Sequence, residues 1–566
     1  MLRRYVFVCA GVLGLVVVHA GHPAAQSTAT ERGRSRAASA VPSLVVLLVA
    51  DQFRADYVTL YSDEWSSGLK TLMTQGAVFT EAAYPYGVTK TCAGHATIGT
   101  GMLPFTHGLI DNQWYERSTH SFVSCTDDGS AHDLLFDGGA GNEQHSAKRY
   151  LVRNFADELK RQVKGRPRVV SLSLKARAAI GLGGHGGPDS TIVWKEDGGV
   201  RFVTSDALTM KASSVVEAFL KTHPVTQQQF ETWDRLKPIS AYKFADEAPG
   251  EPANRQTFPH VFEEAIRTSN NTPSLFNSWD DTPFTDDYLG AMAEYLIGAE
   301  QLGQRQTTDL LAVSFSALDL IGHDYGPRSH EVQDVLLRLD ATIGRLLAAL
   351  DARVGQNRYV LAFASDHGVA MLPEQSFPQT RVGRLTGGLG QPGRLANISV
   401  ANAVEAALDR TLGRSHYVEA ISVPNIYFKP GVLDRIRANP AVQQAVEKAA
   451  TSVRGVNRVY WSAELGATTP TDDPVLTAFR KSYIADRSGD LIYVLERNWV
   501  TSAGTNHGSP QDYDQRVPLA FFGAGITKGQ FAVPATPADI VPTISEIVGI
   551  HMPRSDGQAL REALAR

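Results

Sequence analysis

The chain has 566 residues, of which 43% are hydrophobic, and its 54 Lys and Arg against 59 Asp and Glu give a formal net charge of -5. This length allows one large α/β domain with insertions, or two or three ordinary domains. The charge balance argues against a nucleic-acid partner and a membrane-surface partner.

The first 25 residues have the pattern of a secretory signal peptide. Two arginines precede an apolar run from Tyr5 to Val18, and small residues follow it. The run is short for a bilayer span, and a single membrane anchor is the alternative. Residues 26–42 are rich in Ser, Ala, Thr and Arg and are predicted to form a disordered lead-in. We therefore expect an exported protein, periplasmic or secreted, with no stable membrane span after signal cleavage.

Four apolar runs have the composition of strands that are buried on both faces of a parallel sheet. These runs are 43–50, 168–174, 309–315 and 359–364. Helical patterns lie between them, at 154–162, 285–302 and 330–350. Further strands are predicted at 491–495 and 518–522, and a closing helix at 537–548. The alternation predicts an α/β fold with a doubly wound, mostly parallel central sheet flanked by helices.

Residues 43–566 are accordingly predicted to form one large domain. Three of its segments are longer and more polar than a simple crossover requires. We expect these segments to be insertions that form a cap near the site, at about 114–147, 181–272 and 372–483.

Charged or metal-ligating residues follow the predicted strands, and open α/β sheets form their sites at the carboxyl ends of strands. Taken singly, an Asp after a strand is usually a helix cap, and a loop His usually lies on the surface. Together these residues predict a metal site, in which carboxylates mixed with imidazoles suit zinc, with manganese, cobalt or iron as alternatives. They are Asp51, Asp319, His323, Asp366, His367 and His507.

The segment at 89–95, Thr-Lys-Thr-Cys-Ala-Gly-His, places Thr91 ahead of small residues that can open a helix. Thr91 is therefore either a helix N-cap or a nucleophile at a helix end that attracts phosphate. The predicted metal ligands favour the nucleophile, because metal coordination stabilises the alkoxide form of a hydroxyl.

Two of the three cysteines, Cys92 and Cys125, lie beyond the predicted signal peptide. In an exported protein they form either a disulfide or two free thiols. A disulfide would tie the segment of Thr91 to the first predicted insertion.

These motifs resemble those of the alkaline phosphatase superfamily. The resemblance rests on Asp51, the TKTCAGH segment, Ile110-Asp111-Asn112, and the DLIGH, SDHG and NHG motifs. It extends over 43–552 and is closest to the nucleotide pyrophosphatase/phosphodiesterase branch and to single-chain alkaline phosphatases of the PafA and PhoK type. It implies that the large domain is catalytic, with two Zn2+ per chain and a phosphothreonine intermediate, and a further Ca2+ is an additional candidate.

The resemblance also implies a role for each ligand. One zinc ion would be held by Asp319, His323 and His507. The other would be held by Asp51, Asp366 and His367 together with Thr91, which is the implied nucleophile.

Asn112, Lys175 and Arg177 resemble the phosphate-contacting residues of this superfamily. Asn112 lies 21 residues after Thr91, a spacing that both branches share. Lys175 and Arg177 alternate at a strand end, as in the PafA and PhoK type monoesterases. A monoester dianion carries more charge than a diester, and an Arg fork with a Lys ammonium neutralises that excess. We therefore expect an alkaline phosphatase that is a monomer and acts on small phosphate monoesters.

Three alternatives stay open at this point. A type I phosphodiesterase or nucleotide pyrophosphatase has the same ligands, but it would use an apolar or aromatic surface for the second ester group. A sulfatase needs a Cys-x-Pro-x-Arg-like segment, and the residues from Cys92 to Ala96 lack both Pro and Arg. A non-catalytic metal-binding protein would need neither Thr91 nor the Lys and Arg pair.

Overall fold

A ten-stranded mixed sheet forms the centre of the computed structural model, which describes residues 41–196, 201–227, 232–261, 279–376, 392–501 and 503–565. Residues 41–566 form one compact unit. The predicted signal peptide and residues 26–40 of the predicted lead-in lie outside the described residues. None of the helices within the described ranges is both long and apolar enough to cross a membrane.

The strands of the described residues are, in chain order, β1 Leu44–Ala50, β2 Ala77–Ala82, β3 Gln113–Glu116, β4 Ser121–Ser124, β5 Asp133–Leu135, β6 Val169–Ser173, β7 Ser190–Lys195, β8 Phe202–Ser205, β9 Asp309–Phe315, β10 Tyr359–Ala364, β11 Gly393–Arg394, β12 Val418–Ser422, β13 Asn425–Phe428, β14 Val456–Trp461, β15 Leu491–Leu495, β16 Trp499–Val500, β17 Leu519–Gly523 and β18 Gly529–Ala535.

The α-helices are α1 Asp56–Tyr61, α2 Gly68–Gln75, α3 Thr91–Thr100, α4 Pro104–His107, α5 Phe155–Gln162, α6 Ala176–Gly183, α7 Ser214–Thr222, α8 Phe284–Ala299, α9 Ala317–Tyr325, α10 His330–Arg353, α11 Ser399–Leu412, α12 Val432–Arg437, α13 Pro440–Thr451, α14 Ser462–Leu465, α15 Pro474–Arg480, α16 Asp512–Gln515 and α17 Ile540–Val548.

The central sheet has the strand order β18-β2-β17-β10-β1-β9-β6-β7-β8-β5. Its five middle strands, from β10 to β7, pair in parallel. Antiparallel pairs occur on either side, where β17 lies between β10 and β2 and where β8 joins β7 to β5. The predicted α/β class and the mostly parallel central sheet are confirmed.

Burial on both faces explains the continuous apolar sequence of β1. All seven of its residues are buried. Leu44, Val46 and Leu48 belong to a core with α2, α8 and α10, whereas Val45 and Leu47 belong to a core with α5 and α17 on the opposite face. Alternate residues of an extended strand point to opposite faces, so both layers of helices need apolar side chains from this one strand.

A second, four-stranded antiparallel sheet has the order β12-β13-β15-β14. Its core includes residues of α11 and α13. The predicted strand at 491–495 is β15 of this small sheet, whereas the predicted strand at 518–522 is β17 of the central sheet. Strands β7 and β8 lie within the second predicted insertion, but both belong to the central sheet. Strand β7 pairs with β6, and β8 pairs with β7.

Candidate metal and phosphate site

Three neighbouring strands bring the predicted carboxylates to one edge of the central sheet. Strand β1 pairs in parallel with both β9 and β10, so the three strands end side by side. Asp51 directly follows β1, Asp366 follows β10, and Asp319 lies in the first turn of α9 after β9. All three are buried, with at most 4% of their surface exposed. The sheet therefore gathers carboxylates that are far apart in the chain.

Helix α9 presents Asp319 and His323 one turn apart. Its N-terminus is held by Asp286, whose Oδ1 accepts the backbone N–H groups of Ser316 at 2.8 Å and Ala317 at 3.2 Å. Side chains four residues apart lie on the same face of a helix. His323 Nε2 is accordingly 3.2 Å from Asp319 Oδ1.

Asp51, Asp366 and His367 form the first ligand group, in which one ligand atom from each lies within 4.8 Å of the others. His367 Nε2 lies 3.1 Å from Asp366 Oδ2 and 3.4 Å from Asp51 Oδ1. Thr91 Oγ1 lies 3.4 Å from the same nitrogen. The structure thus brings together the four residues that the resemblance assigned to one zinc ion.

Asp319, His367 and His507 form the second ligand group. His507 Nε2 lies 3.8 Å from Asp319 Oδ1, the atom that His323 also approaches. The rings of His367 and His507 stack with centroids 3.5 Å apart, so the two groups adjoin. Asp319, His323 and His507 therefore come together as expected, and His367 lies between the two groups.

The residues of both groups fit metal ions. Asp51 Oδ1 and Asp366 Oδ2 are buried and have no well-aligned hydrogen-bond donor, since the nitrogens near them belong to the imidazoles of His95 and His367. A buried acceptor without a partner is costly, and a cation satisfies it. Burial and the nearby carboxylates of Asp319 and Asp366 raise the pKa of Asp51 to about 6. Carboxylates mixed with imidazoles are a donor set that suits zinc.

Lys175 bridges the two groups. Its Nζ lies 2.6 Å from Asp51 Oδ2 and 2.5 Å from Asp319 Oδ2. Although burial favours the neutral carboxyl, Lys175 and His323 hold the pKa of Asp319 well below its usual range. The ammonium group therefore offsets the charge of the two carboxylates, and its contact with phosphate stays a prediction.

Thr91 is the first residue of α3, and Lys90 occupies the N-cap position. Thr91 therefore lies inside the helix, and the Lys90 side chain makes no capping hydrogen bond, so the N-cap alternative for Thr91 is wrong. The side chain instead contacts His367 in a site where Thr91 is only 1% exposed. The positive dipole end of α3 favours an anion at this position.

A disulfide joins Cys92 to Cys125, which decides between the two alternatives for these cysteines. The bridge encloses Asn112, whose Oδ1 accepts the N–H of Cys92 and whose backbone oxygen accepts the N–H of Cys125, both at 2.9 Å. With its carboxamide oxygen engaged, the Asn112 side chain can offer its NH2 group to a ligand.

An open cleft of about 600 Å3 adjoins this site. Asn112 and Arg177 line the cleft, together with Lys90 and Asn506, which precede Thr91 and His507. Ten of the thirteen described residues that line it are polar, and none of the thirteen is aromatic. The cleft therefore holds hydrogen-bond donors beside the ligand groups.

Two further residues contact the ligands without having been predicted. His95 Nδ1 lies 3.3 Å from Asp366 Oδ2, and His95 Nε2 lies 2.7 Å from Ser314 Oγ. A spacing of four residues after Thr91 on one helix was an available signal for His95. Gln52 donates hydrogen bonds to both Asp319 and Asp366. The position of Gln52 directly after Asp51 did not predict these hydrogen bonds, because they depend on the conformation of the turn that ends β1.

Known proteins that are similar to this chain over nearly its whole length include two alkaline phosphatases. Alkaline phosphatase PhoV from Synechococcus elongatus is 29% identical over 538 residues, which cover 92% of this chain and 93% of that protein. Alkaline phosphatase PafA from Elizabethkingia meningoseptica is 27% identical over 573 residues, which cover 98% of this chain and 99% of that protein.

Two crystal structures of PafA also resemble this chain. The wild-type structure has a TM-score of 0.81 and 27% identity, over 93% of this chain and 100% of the other. A variant with a Thr, an Asn, a Lys and an Arg replaced has a TM-score of 0.82 at the same identity and coverage.

A family model described as type I phosphodiesterase / nucleotide pyrophosphatase matches residues 45–517. This match includes every predicted site residue from Asp51 to His507. The chain therefore belongs to the type I phosphodiesterase / nucleotide pyrophosphatase family.

Proposed function

We propose that this chain is an exported alkaline phosphatase, a phosphomonoesterase that uses two zinc ions and a phosphothreonine intermediate. The observation that carries the proposal is the meeting of Thr91, two carboxylate and histidine groups, and the Lys175 ammonium in one buried site beside a polar cleft. Relatives named alkaline phosphatase along nearly the whole chain support the same activity. The protein would act as a periplasmic or secreted monomer on small phosphate monoesters.

Asp51, Asp366, His367 and Thr91 would hold one ion, and Asp319, His323 and His507 would hold the other. When bound, such ions favour the alkoxide form of a hydroxyl and neutralise charge on a phosphoryl group and its leaving oxygen. Thr91 Oγ1 attacks phosphorus in line with the departing alcohol, and the new P–O bond forms as the old one breaks. Water then cleaves the phosphothreonine and releases inorganic phosphate.

The remaining residues would bind the phosphoryl oxygens. Asn112 offers its NH2 group, Arg177 its guanidinium fork, and the N-terminus of α3 its positive dipole end. The PafA variant described above replaces the same four residue types as Thr91, Asn112, Lys175 and Arg177, with the same spacings of 21 and 2 residues. That correspondence supports treating these four residues of the present chain as one functional set.

The charge of the site supports a preference for monoesters. Two cationic side chains match the dianionic phosphoryl group of a monoester. The described lining of the cleft has no aromatic side chain, whereas a smaller neighbouring cavity that includes His507 is lined by Phe479 and Trp499. The family name favours the alternative, a type I phosphodiesterase, so the two activities must be compared directly.

The test is the ratio of kcat/KM for p-nitrophenyl phosphate to that for bis-p-nitrophenyl phosphate, measured on zinc-loaded protein. We expect the monoester to be hydrolysed far faster. Replacing both Lys175 and Arg177 by Ala should narrow the ratio, because the monoester loses more charge compensation than the diester does. Equal rates for the two esters in the unmodified protein would favour the phosphodiesterase.

A further inference from the structure

Gln52 contacts both ligand groups, although no motif marks it. It directly follows Asp51 at the end of β1 and is fully buried. Its backbone N–H donates to Asp366 Oδ1 at 3.1 Å, and its side-chain Nε2 donates to Asp319 Oδ1 at 2.6 Å. One residue thus holds a carboxylate of the first group through its main chain and a carboxylate of the second group through its side chain.

The backbone of Gln52 has an unusual conformation. Its φ of 68° lies in the left-handed region, which residues other than glycine seldom adopt. Such a conformation persists only where the surroundings hold it in place. Here the turn lets the N–H group reach the carboxylate after β10 while the side chain reaches the carboxylate in α9.

Gly322 provides the space that the Gln52 side chain occupies. It lies in α9 between Asp319 and His323, and a Cβ added to it would lie 2.2 Å from Gln52 Oε1 and 3.3 Å from Gln52 Cδ. The orientation of the amide follows from chemistry, because an ionised carboxylate accepts hydrogen bonds and only the NH2 end can donate. The glycine of the DLIGH motif therefore has a specific role, which is to admit Gln52.

We propose that Gln52 is a positioning residue that holds the carboxylates of the two ligand groups in one arrangement and sets the zinc affinity of the group around Asp319. The inference rests on the proposed function, since it takes the two groups to hold zinc. Changing a residue that orients metal ligands typically weakens metal binding about 10–100-fold.

Gln52→Gly separates the two contacts of this residue. Glycine accepts a positive φ at no steric cost, so the turn and the N–H donation to Asp366 are kept while the amide contact to Asp319 is lost. Metal-stripped full-length protein would be titrated with Zn2+ against a chromophoric chelator. We expect one of the two zinc affinities to fall about 10–100-fold and the other to change less than about twofold. The control is Gln301→Gly, an exposed glutamine that also has a positive φ, of 50°.

A second variant distinguishes positioning from a general loss of stability. Gly322→Ala should weaken the same zinc affinity, because the added methyl group displaces the Gln52 amide. In the double variant with Gln52→Gly the methyl group meets no Gln52 side chain, so Gly322→Ala should then have little further effect. Such non-additivity is the signature of a direct interaction between two sites.

The outcomes separate the inference from the proposed function. Unmodified protein that binds fewer than two zinc ions would overturn the two-zinc proposal itself. Two zinc ions in the unmodified protein with unchanged affinities in Gln52→Gly would overturn the role of Gln52 alone. Additive losses in the double variant, or an equal loss in Gln301→Gly, would also overturn it.

Discussion

Thr91 acquires its chemical role from its surroundings rather than from its own motif. A threonine ahead of small residues has the same local sequence whether it caps a helix or attacks a substrate. In the structure it is the first residue of α3, it caps nothing, and its hydroxyl lies 3.4 Å from His367 Nε2. The neighbouring imidazole and the carboxylates of Asp51 and Asp366 make a nucleophilic role the better interpretation.

Thr91→Ala should abolish turnover, with kcat reduced by about 10^3-fold or more because the covalent route is lost. Zinc content, measured by atomic absorption after gel filtration, should stay close to two ions per chain, since the carboxylates and imidazoles are unchanged. Thr74→Ala, at an exposed helix position, is the control. Near-normal turnover in Thr91→Ala would remove this residue from the mechanism.

Individual residues differ in how far the sequence predicts them. Asp319 and His323 were predictable because helical spacing alone places both on one face of α9. Gln52 was not, because its importance depends on a left-handed turn and on a glycine in a helix more than 260 residues later. Contacts of that kind become visible only once the strands are paired.

At the scale of elements, buried polar side chains of helix α10 form hydrogen bonds with the segment at 232–261. Residues 232–261 pack against it, with Trp233 Nε1 donating to Asp334 Oδ2 at 2.7 Å. His260 Nε2 lies 3.0 Å from Glu331 Oε1, and burial lowers the pKa of His260 to about 4, so a neutral imidazole donates to this carboxyl. The helical pattern at 330–350 predicted α10 well, whereas this polar packing is a tertiary property that periodicity does not report.

Glu331 makes the stability of this packing depend on pH. Burial raises its folded-state pKa from the ordinary 4.5 to about 8, so the folded protein binds a proton that the unfolded chain has released. The stabilisation is complete below pH 4.5 and is lost as the pH rises through about 8.

Glu331→Gln should remove this dependence, because the amide stays neutral at every pH and still accepts from His260. Between pH 5 and pH 9, the free energy of unfolding of the unmodified protein should fall by about 2–4 kcal/mol relative to that of Glu331→Gln. Urea denaturation at several pH values measures the free energy of unfolding of both proteins. The other titrating groups are the same in both, so their contributions cancel in the difference. Glu546→Gln, on an exposed position of α17, should instead follow the unmodified protein. Parallel curves for Glu331→Gln would contradict the expectation.

At the scale of the whole molecule, the central sheet is what unites the site. Its parallel middle strands were predictable from their apolar runs, because burial on both faces demands such sequences. The assignment of 491–495 to a separate sheet was not predictable, since a five-residue apolar strand looks the same in either sheet. The resemblance to the alkaline phosphatase superfamily indicated which strand-end residues belong to which ligand group. The match to the type I phosphodiesterase / nucleotide pyrophosphatase family agrees with that resemblance.

Metal removal should affect the whole fold as well as the activity. On the proposed function, three buried carboxylates at the edge of the sheet would lose their counter-charge when zinc is chelated, and any ligand that binds only the folded state stabilises it. Treatment with a chelator should therefore abolish phosphate release and lower Tm by more than about 5 °C, and added Zn2+ should restore both. Scanning calorimetry with a parallel activity assay provides the check, and an unchanged Tm on loss of zinc would argue against these ligands.

The proposed ligands extend from Asp51, after the first strand, to His507, in a loop beyond the small four-stranded sheet. No fragment shorter than that interval contains every proposed ligand, and a nick within it divides these ligands between two segments, which stay joined by the disulfide only if the nick lies between Cys92 and Cys125. Phosphate release would consequently depend on the fold holding the two ends of this interval together. In a proteolysis time course, the disappearance of activity would mark the moment at which the two ends of this interval cease to be held together.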